Sequence, residues 1–403
     1  MEIVKSISLF GRELIRVERN RAGEFSYSFL DGSDFNNSTK YLDISLSNPA
    51  LMTIIALRAS LYSQMKITHV DAAGKEIQNS PYLHLLKSPN YFQSQEDFLF
   101  QQMWFLSAAG TNNIYQKKTF STSIPVGMYN LIPTEIDYNE SHKVNKFLWT
   151  KKDQQAYSER VIKYTLDNKT YEIKLADLIP LYDLSNGLIN NSFSQSPSRV
   201  KGIVKVLENI EKNLNSKHKN LQFSAKYIGI NKSNGNEAQI QAADKTAIEK
   251  VLSSKDVLTT NAAVEYKHLV SDMKRLYLDE QYSEDFLKCL LAFDMNKNVL
   301  NPFSKDSTFE NQNQGLVSYV QNSIQKTADA TMNSLSQQWG LFESGQRLIA
   351  SYEHLPIMQG VVLEKINSFK ALQEAIKIGL ENKTLLEADA KKMSDEFKEK
   401  LKL

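Results

Sequence analysis

Lysine side chains crowd one predicted helix, residues 196–220, and they are the groups in this sequence with the clearest chemical potential. Only Glu208 and Glu211 oppose its six cations, which are Arg199, Lys201, Lys205, Lys212, Lys217 and Lys219. An ammonium group acts as a point charge rather than as a bidentate reader of base edges, so a lysine-rich surface suits contacts to phosphates. The pattern predicts attraction of a nucleic-acid backbone without sequence preference, and an ordinary solvated helix surface is the alternative for each lysine.

The sequence contains no recognisable motif for catalysis or metal binding. The six histidines are not spaced as metal ligands, and the sequence contains no phosphate-binding loop, dinucleotide fingerprint or His-Glu-x-x-His motif. Its carboxylates do not cluster into a recognisable acid–base pair. The single cysteine, Cys289, excludes an internal disulfide and a zinc site built on paired thiolates, and its helical setting predicts core packing. The sequence therefore predicts no enzyme, no cofactor and no metal.

The lysine-bearing helix needs packing partners, because a narrow apolar stripe runs along it. Ser196-Pro197 predicts its N-terminus, since serine is a favoured N-cap and proline suits the first helical position. A second helix over 270–294 has an excess of acidic residues. The opposite charge balances favour pairing of the two helices, although exposed ion pairs are individually weak. The stripe consists of Val200, Ile203, Val204, Leu207, Ile210 and Leu214.

The segment between these two helices has the pattern of a small β-α-β-β module. It predicts a strand over 223–230, a turn at 233–235, a helix over 237–252 and strands near Val257 and Val264.

The C-terminal part begins with a polar loop over 297–315, and a loop of this length is more often functional or mobile than a simple connection. A long helix is predicted over 316–339 and a strand over 347–352. The last 44 residues are predicted to be helical with a break at Glu381-Asn382 and a capping box of Thr384 and Glu387.

The first half mixes helices and strands. Residues 1–47 are rich in turn signals and receive no assignment. Asn48-Pro49 predicts a helix start, Ser94 with Asp97 forms a capping box, and Gly110 is placed as the C-cap of that helix. Alternating residues over 112–175 predict short antiparallel strands. The predicted class is α+β.

Length and composition limit the remaining choices. At 403 residues the chain is expected to form two to four compact pieces, and 41% apolar residues with a net charge of +2 indicate a folded protein. The N-terminus has no apolar signal-peptide region and no stretch approaches a membrane-spanning length, so we expect neither secretion nor a membrane partner. The cysteine usage agrees with a reducing cytoplasm.

The order of several motifs resembles the HK97-like portal family of tailed bacteriophages. Asn48-Pro49-Ala50-Leu51 and the segments 80–90, 98–110 and 113–117 resemble the first half of that family. Further along the chain, similar positions are Leu131-Ile132-Pro133, Leu178-Ile179-Pro180, Ser196-Pro197, residues 307–311 and residues 379–388. The sequence departs from the family after the second long helix, where the family has a Val-Pro step and this chain has no proline before Pro302. The start of the following loop is therefore uncertain by several residues.

The resemblance implies a portal fold with a strand-rich wing, a two-helix stem carrying a small α/β clip, a long wing helix and a C-terminal helical crown. The implied boundaries are 1–195 for the N-terminal wing, 196–220 for stem helix 1, 221–269 for the clip, 270–294 for stem helix 2, 295–315 for the tunnel loop, 316–358 for the wing helix and strand, and 359–403 for the crown.

The resemblance also implies a non-catalytic role as a ring, typically of twelve subunits, at one capsid vertex. Such a ring is the channel for packaging and ejecting double-stranded DNA. Its expected partners are the terminase large subunit, the major capsid protein and head-completion or adaptor proteins. The expected location is the virion, after assembly in the host cytoplasm.

Candidate residues follow from combining the resemblance with the charges. Lys201, Lys205, Lys212 and Lys219 are candidates for the DNA-channel wall, although sequence does not decide which stem face looks inward. The tunnel-loop candidates are Lys297, Asn298 and Lys305. Candidates for contact with terminase or adaptor proteins on the clip are Lys226 and Lys232.

A soluble adaptor or scaffold that binds another protein through its paired helices is the competing hypothesis. A portal subunit should need neighbouring copies to cover its apolar stripes, whereas an adaptor can remain monomeric until its partner arrives. An enzyme ranks third, because the sequence supplies no nucleophile, metal site or phosphate cradle.

Overall fold

The protein was analysed as a computed structural model, which describes residues 2–9, 12–19, 25–28, 38–119, 124–137, 150–184, 196–223, 227–231, 264–268, 278–300, 309–382, 389 and 391–394. It contains two compact units, Met1–Ser38 and Thr39–Leu403.

The first unit is an antiparallel sheet of β1 (Glu2–Leu9), β2 (Arg12–Arg19) and β3 (Phe25–Ser28) in that spatial order. The sequence signal for these strands is a density of β-branched residues such as Ile3, Val4 and Val17, which favour extended backbone. The turn residues nearby in the sequence obscure that signal, so these strands are not predicted from sequence alone.

The second unit begins with a helical layer of α1 (Ser38–Ser47), α2 (Pro49–Ser63), α3 (Pro81–Lys87) and α4 (Gln95–Ala109). The predicted caps are confirmed: Asn48 accepts a hydrogen bond from the Leu51 amide, and Ser94 and Asp97 form a capping box. Gly110 caps α4 with φ of 79°. Within the described residues no single helix is long and apolar enough to span a membrane; α1 and α2 meet that test only as a pair bent by 96°, by length and composition alone.

Short antiparallel strands follow, as predicted for residues 112–175. One sheet has the order β10-β5-β6, a second β7-β8-β9, and a third pairs β4 with β13. Helix α5 (Lys151–Ser158) interrupts the strands and was not predicted. The strands are β4 (Lys66–Val70), β5 (Thr111–Lys117), β6 (Gly127–Leu131), β7 (Ile136–Asp137), β8 (Val161–Leu166), β9 (Lys169–Lys174), β10 (Leu178–Tyr182) and β13 (Arg347–Ser351).

The two long charged helices are α6 (Arg199–Phe223) and α7 (Leu278–Ala292). Between them the structure describes β11 (Tyr227–Asn231) paired antiparallel with β12 (Val264–His268). The strand predicted from Phe223 is wrong at its start, because α6 continues through that residue. The predicted helix 237–252, the strand near Val257 and the stretch 270–277 lie outside the described residues.

A long continuous helix crosses the second unit. It consists of α8 (Phe309–Tyr319), a π-helical turn (Val320–Ile324) and α9 (Gln325–Gln338). The predicted strand 347–352 is confirmed as β13, and α10 (Gln359–Glu381) ends at the predicted break. The capping box predicted at Thr384 and Glu387 lies outside the described residues. The fold is a mixed α and β fold, with one large core and a smaller core in the β7-β8-β9 sheet.

Candidate functional site

The lysine candidates of α6 share one face of the helix. Residues 201, 205, 212 and 219 fall within an arc of about 40° and span about 27 Å along the axis, because each residue advances about 100° and 1.5 Å. Lys205 and Lys212 are exposed and Lys201 is half-buried. For Lys219 only the helical backbone is described. The apolar residues Val200, Ile203, Leu207 and Ile210 are buried on the other side of the helix.

The four lysines do not share one environment. Lys212 lines a groove of about 430 Å³ between α6 and α7, together with Glu284, Asp285 and Lys288. The Lys288 ammonium donates to Asp285 at 2.8 Å. Nearer the outer end, Lys217 pairs with Asp279 across the two helices. The acidic α7 therefore offsets the basic charge beside Lys212, which leaves Lys205 as the candidate placed best for an external anion.

The inner end of α6 is joined to the core by buried charges. Asp183, in the segment after β10, accepts from Arg58 of α2 at 2.6 Å and from Arg199 of α6 at 2.6 Å, using a different oxygen for each. The side chains of Arg58 and Asp183 are completely buried. A buried carboxylate between two guanidinium groups fixes the start of α6 against the middle of α2.

The same cluster reaches the end of α7. Arg199 donates to the Asp294 carboxylate at 2.9 Å and to the Ala292 carbonyl at 2.9 Å. Asp294 has a φ of 59°, in the left-handed region, and it accepts from Ser323 of the π-helical turn at 3.4 Å. The end of α7 and the start of α6 are thus held together beside the long helix. We call Arg58, Asp183, Arg199 and Asp294 the charge cluster.

Burial and ion pairing set the protonation of this region. Burial alone disfavours the charge of Arg58, but Asp183 and the other nearby groups outweigh it, so that its pKa is raised and the guanidinium stays charged. Burial raises the pKa of Tyr319 to about 12, and it raises the pKa of Cys289 in α7 to about 12 as well. Both groups remain neutral near pH 7, and the predicted burial of Cys289 is confirmed.

The segment before α6 is an anchor rather than the first helical turn. The Ser196 amide donates to Thr111 Oγ1 at 2.7 Å, and Ser198 Oγ donates to the Ala108 carbonyl at 2.6 Å. Ser198 Oγ also accepts from the Val200 amide at 3.1 Å, so the helix is capped two residues later than Ser196. The predicted helix start at Ser196 is therefore wrong: tertiary hydrogen bonds hold Ser196 and Ser198, and α6 begins at Arg199.

The predicted loop over 297–315 is shorter than the sequence indicated. Lys297 is exposed, whereas Asn298 is half-buried and its amide donates to Asn296 Oδ1 at 3.2 Å. Gly315 packs against Asn298 and Val299, and residues 309–315 belong to α8. Lys305, like the candidates Lys226 and Lys232, lies outside the described residues.

Sequence reasoning missed the charge cluster. An arginine inside the apolar run of α2, between Ile55 and Leu61, was a usable signal, because a buried arginine requires a partner. No local signal marked Asp183, which is 125 residues away from Arg58. Among the residues that the structure describes, no three His, Cys, Asp or Glu side chains are grouped to hold a metal ion.

Comparison with known proteins gives a fold but no sequence family. No protein-family model and no curated protein matches the sequence. A chain in "Neck of empty GTA particle computed with C6 symmetry", where GTA is a gene transfer agent, matches with a TM-score of 0.61 at 12% identity, over 84% of this chain and 90% of that one. A chain in "Neck of native GTA particle computed with C12 symmetry" matches at 0.60 with 10% identity, over 90% and 94%.

An HK97 family phage portal protein from Corynebacterium diphtheriae overlaps less well, with a TM-score of 0.49 at 12% identity over 79% of this chain and 96% of that one. The agreement with the two GTA neck chains extends over most of both chains, so this protein shares their fold.

Proposed function

We propose that this protein is a portal protein, which forms a ring at one vertex of a phage-like capsid and provides the channel for packaging and ejecting double-stranded DNA. The observation that carries the proposal is the fold shared with GTA neck chains over 84% to 90% of this chain, in necks computed with C6 or C12 symmetry. The order of sequence motifs supports the same assignment independently. The role is structural, and the reaction that drives packaging belongs to the terminase.

The geometry of α6 fits a channel wall. A stack of lysines along about 27 Å of helix repeats around the ring and would contact phosphates without reading sequence. Such contacts weaken steeply with salt, which suits DNA that must slide. Lys205 is the leading candidate, followed by Lys201 and position 219. Lys212 contributes less because Glu284 and Asp285 share its groove.

The remaining assignments follow from the proposed portal role. The two-helix stem is α6 with α7, and the clip is the segment containing β11 and β12, where terminase and later head-completion proteins would dock. The tunnel loop would end where α8 begins at Phe309, the wing would contact the major capsid protein, and α10 would begin the crown. The assembled ring belongs to the virion.

The oligomeric state tests the proposal most directly. Native mass spectrometry of the purified full chain, with negative-stain microscopy, should find closed rings of about twelve subunits with a central hole. A chain that stays monomeric at high concentration, with or without capsid protein, would contradict the portal assignment and favour the adaptor hypothesis.

The channel wall is tested by charge reversal. The double variant Lys201→Glu/Lys205→Glu should still form rings but should lower DNA packaging or retention, since each ring would exchange two rows of positive charge for negative charge. The matched control, Lys66→Glu/Lys87→Glu, changes the same net charge at exposed sites elsewhere. Equal packaging by both variants would remove the lysine face from the channel wall.

A further inference from the structure

Two adjacent aromatic side chains stand almost free of the rest of the chain. Tyr91 is 93% exposed and Phe92 is 85% exposed, although aromatic residues usually bury most of their surface. Their rings meet edge to face with centroids 5.3 Å apart. We call this pair the aromatic knob. It lies in the link between α3 and α4, away in sequence from the helices that carry the lysine face.

Hydrogen bonds of the neighbouring Asn90 hold the backbone of the aromatic knob in place. Asn90 is buried, and its side-chain amide donates to Gln93 Oε1 at 2.8 Å and to the Met128 carbonyl at 3.0 Å. Its carbonyl oxygen accepts from the Phe92 amide at 3.0 Å. The Met128 amide in turn donates to the Pro89 carbonyl at 2.7 Å, which ties the link to the strand β6. Three hydrogen bonds of the Asn90 side chain thus fix the backbone that presents the two rings.

Rigid presentation matters for binding. Ser94 starts the capping box of α4 two residues after Phe92, so the backbone is also fixed on the C-terminal side. An aromatic side chain has only two rotatable angles, and here its backbone is ordered before any partner arrives. Little conformational entropy remains to be lost on association. Exposed Tyr and Phe that are ordered in this way have the character of interface anchors.

The size of the knob indicates what kind of partner it fits. Two nearly free aromatic side chains expose roughly 300 Å². A stable interface buries about 800 Å² on each partner, so the knob is an anchor within a larger contact rather than a whole interface. In the proposed ring, the surface that lies beside every subunit is that of a second copy of this chain.

We propose that the aromatic knob inserts into a second copy of this chain, the neighbouring subunit of the ring. The inference rests on the portal function proposed above. In a ring, each interface is heterologous, so the knob of one subunit meets a different surface of the next and every knob is covered when the ring closes.

The test uses the thiol chemistry of the chain. Cys289 is its only cysteine and is buried, so Phe92→Cys places a single accessible thiol on the knob. Ring and monomer fractions are separated by gel filtration and treated with a maleimide at pH 7. We expect labelling at least tenfold slower in rings than in monomers. Phe342→Cys, at another exposed aromatic position, is the control for general accessibility.

The outcomes separate this inference from the portal assignment. Rings in which Cys at position 92 labels as fast as in the monomer would overturn the knob proposal and leave the portal assignment standing. Rings of Phe92→Cys that fail to form, while Phe342→Cys forms them, would support the knob. An unmodified chain that forms no rings would reject the portal assignment and the second copy with it.

A second variant tests the contact energetically. Tyr91→Ser/Phe92→Ser should leave the thermal unfolding of the monomer unchanged, because both rings are exposed, yet it should raise the protein concentration needed for rings by tenfold or more. Phe342→Ser should leave that concentration unchanged. Equal assembly by the two variants would contradict an anchoring role.

Discussion

The inner and outer ends of α6 are stabilised in different ways. At the inner end, the Asp183 carboxylate is buried between Arg58 and Arg199. Four residues of the helix stripe are also buried there, namely Val200, Ile203, Leu207 and Ile210. At the outer end, Lys217 and Asp279 form an ion pair across the two helices, and their side chains are 32% and 72% exposed. The helix is about 37 Å long, and the buried apolar residues described in it lie in its first half.

This difference shows which part of the helix pair the chain stabilises by itself. Removing one partner of a buried ion pair strongly destabilises a protein, whereas an exposed ion pair contributes little to the free energy of unfolding. The inner end is therefore fixed in the isolated subunit. The outer end presents lysines and a mixed-charge groove to solvent, and neighbouring subunits or DNA would add to its stability in the proposed ring.

The largest predicted effect comes from removing the shared carboxylate. Asp183→Asn removes the carboxylate that Arg58 and Arg199 share, which leaves the buried Arg58 without its ion-pair partner and Arg199 with Asp294 alone. We expect the free energy of unfolding to fall by about 3–5 kcal/mol. Asp279→Asn, the matched change at the outer end, should cost at most about 1 kcal/mol. Urea unfolding of both variants at pH 7 measures the difference. Equal losses would mean that the charge cluster is no stronger than a surface pair.

Two glycines provide a second comparison. Gly110 has φ of 79°, and a Cβ there would lie 2.5 Å from the Pro197 carbonyl oxygen, so Gly110→Ala should cost more than about 1–2 kcal/mol and displace the start of α6. Gly202 lies inside α6 with nothing within 4 Å of an added Cβ. Gly202→Ala should instead stabilise the protein by about 0.5–1 kcal/mol. Thermal unfolding should thus shift in opposite directions, and a shift in the same direction would contradict the close packing at Gly110.

The pH dependence of the free energy of unfolding should show that Cys289, near the C-terminal end of α7, is buried. Burial raises the pKa of Cys289 from 9.0 to about 12, so above pH 9 the thiol ionises in the unfolded chain while it stays protonated in the folded one. The unfolded state then binds fewer protons, and stability should fall with rising pH by up to about 1.4 kcal/mol per unit.

Cys289→Ala removes this contribution and separates it from those of buried tyrosines. Urea unfolding of both proteins at pH 8.5 and 10 gives the two slopes. A slope that is the same in both proteins would show that the thiol does not stay protonated when folded.

The smallest effects distinguish two lysines of the same helix face. Lys212→Glu places a third carboxylate beside Glu284 and Asp285, and we expect a loss of about 0.5–1 kcal/mol that shrinks at high salt. Lys205→Glu should change stability by less than about 0.5 kcal/mol. Urea unfolding at low and high salt separates them, and a larger loss for Lys205→Glu would reverse the assignment of Lys205 as the lysine best placed for an external anion.

Local signals in the sequence were sufficient for some features and not for others. The caps at Asn48, Ser94 and Gly110 were predicted because each depends on residues within four positions. The start of α6 was not, since Thr111 and Ala108 hold Ser196 and Ser198 from across the core. The asparagine-rich start of α8 has weak helix propensity, and packing of Gly315 against Asn298 and Val299 overrides it.

The candidate site shows the same division. The helical positions of the lysines followed directly from their spacing, because helix geometry is local. The charge cluster joins residues from α2, the segment after β10, α6 and the end of α7, and no sequence spacing connects them. The aromatic knob depends on Asn90 reaching Met128 on a strand formed much later in the chain. Such contacts are properties of the tertiary structure.

The π-helical turn at Val320–Ile324 rotates the side-chain positions of α9 about the helix axis relative to those of α8. A π turn holds one residue more than an α turn, which offsets the faces of α8 and α9 by about 100° relative to an unbroken α-helix. This offset lets Tyr319 and Ser323 lie beside the charge cluster while Thr331 of α9 hydrogen-bonds Tyr62. Deleting one residue, such as Gln321, would restore a regular helix and put these two sets of contacts out of register.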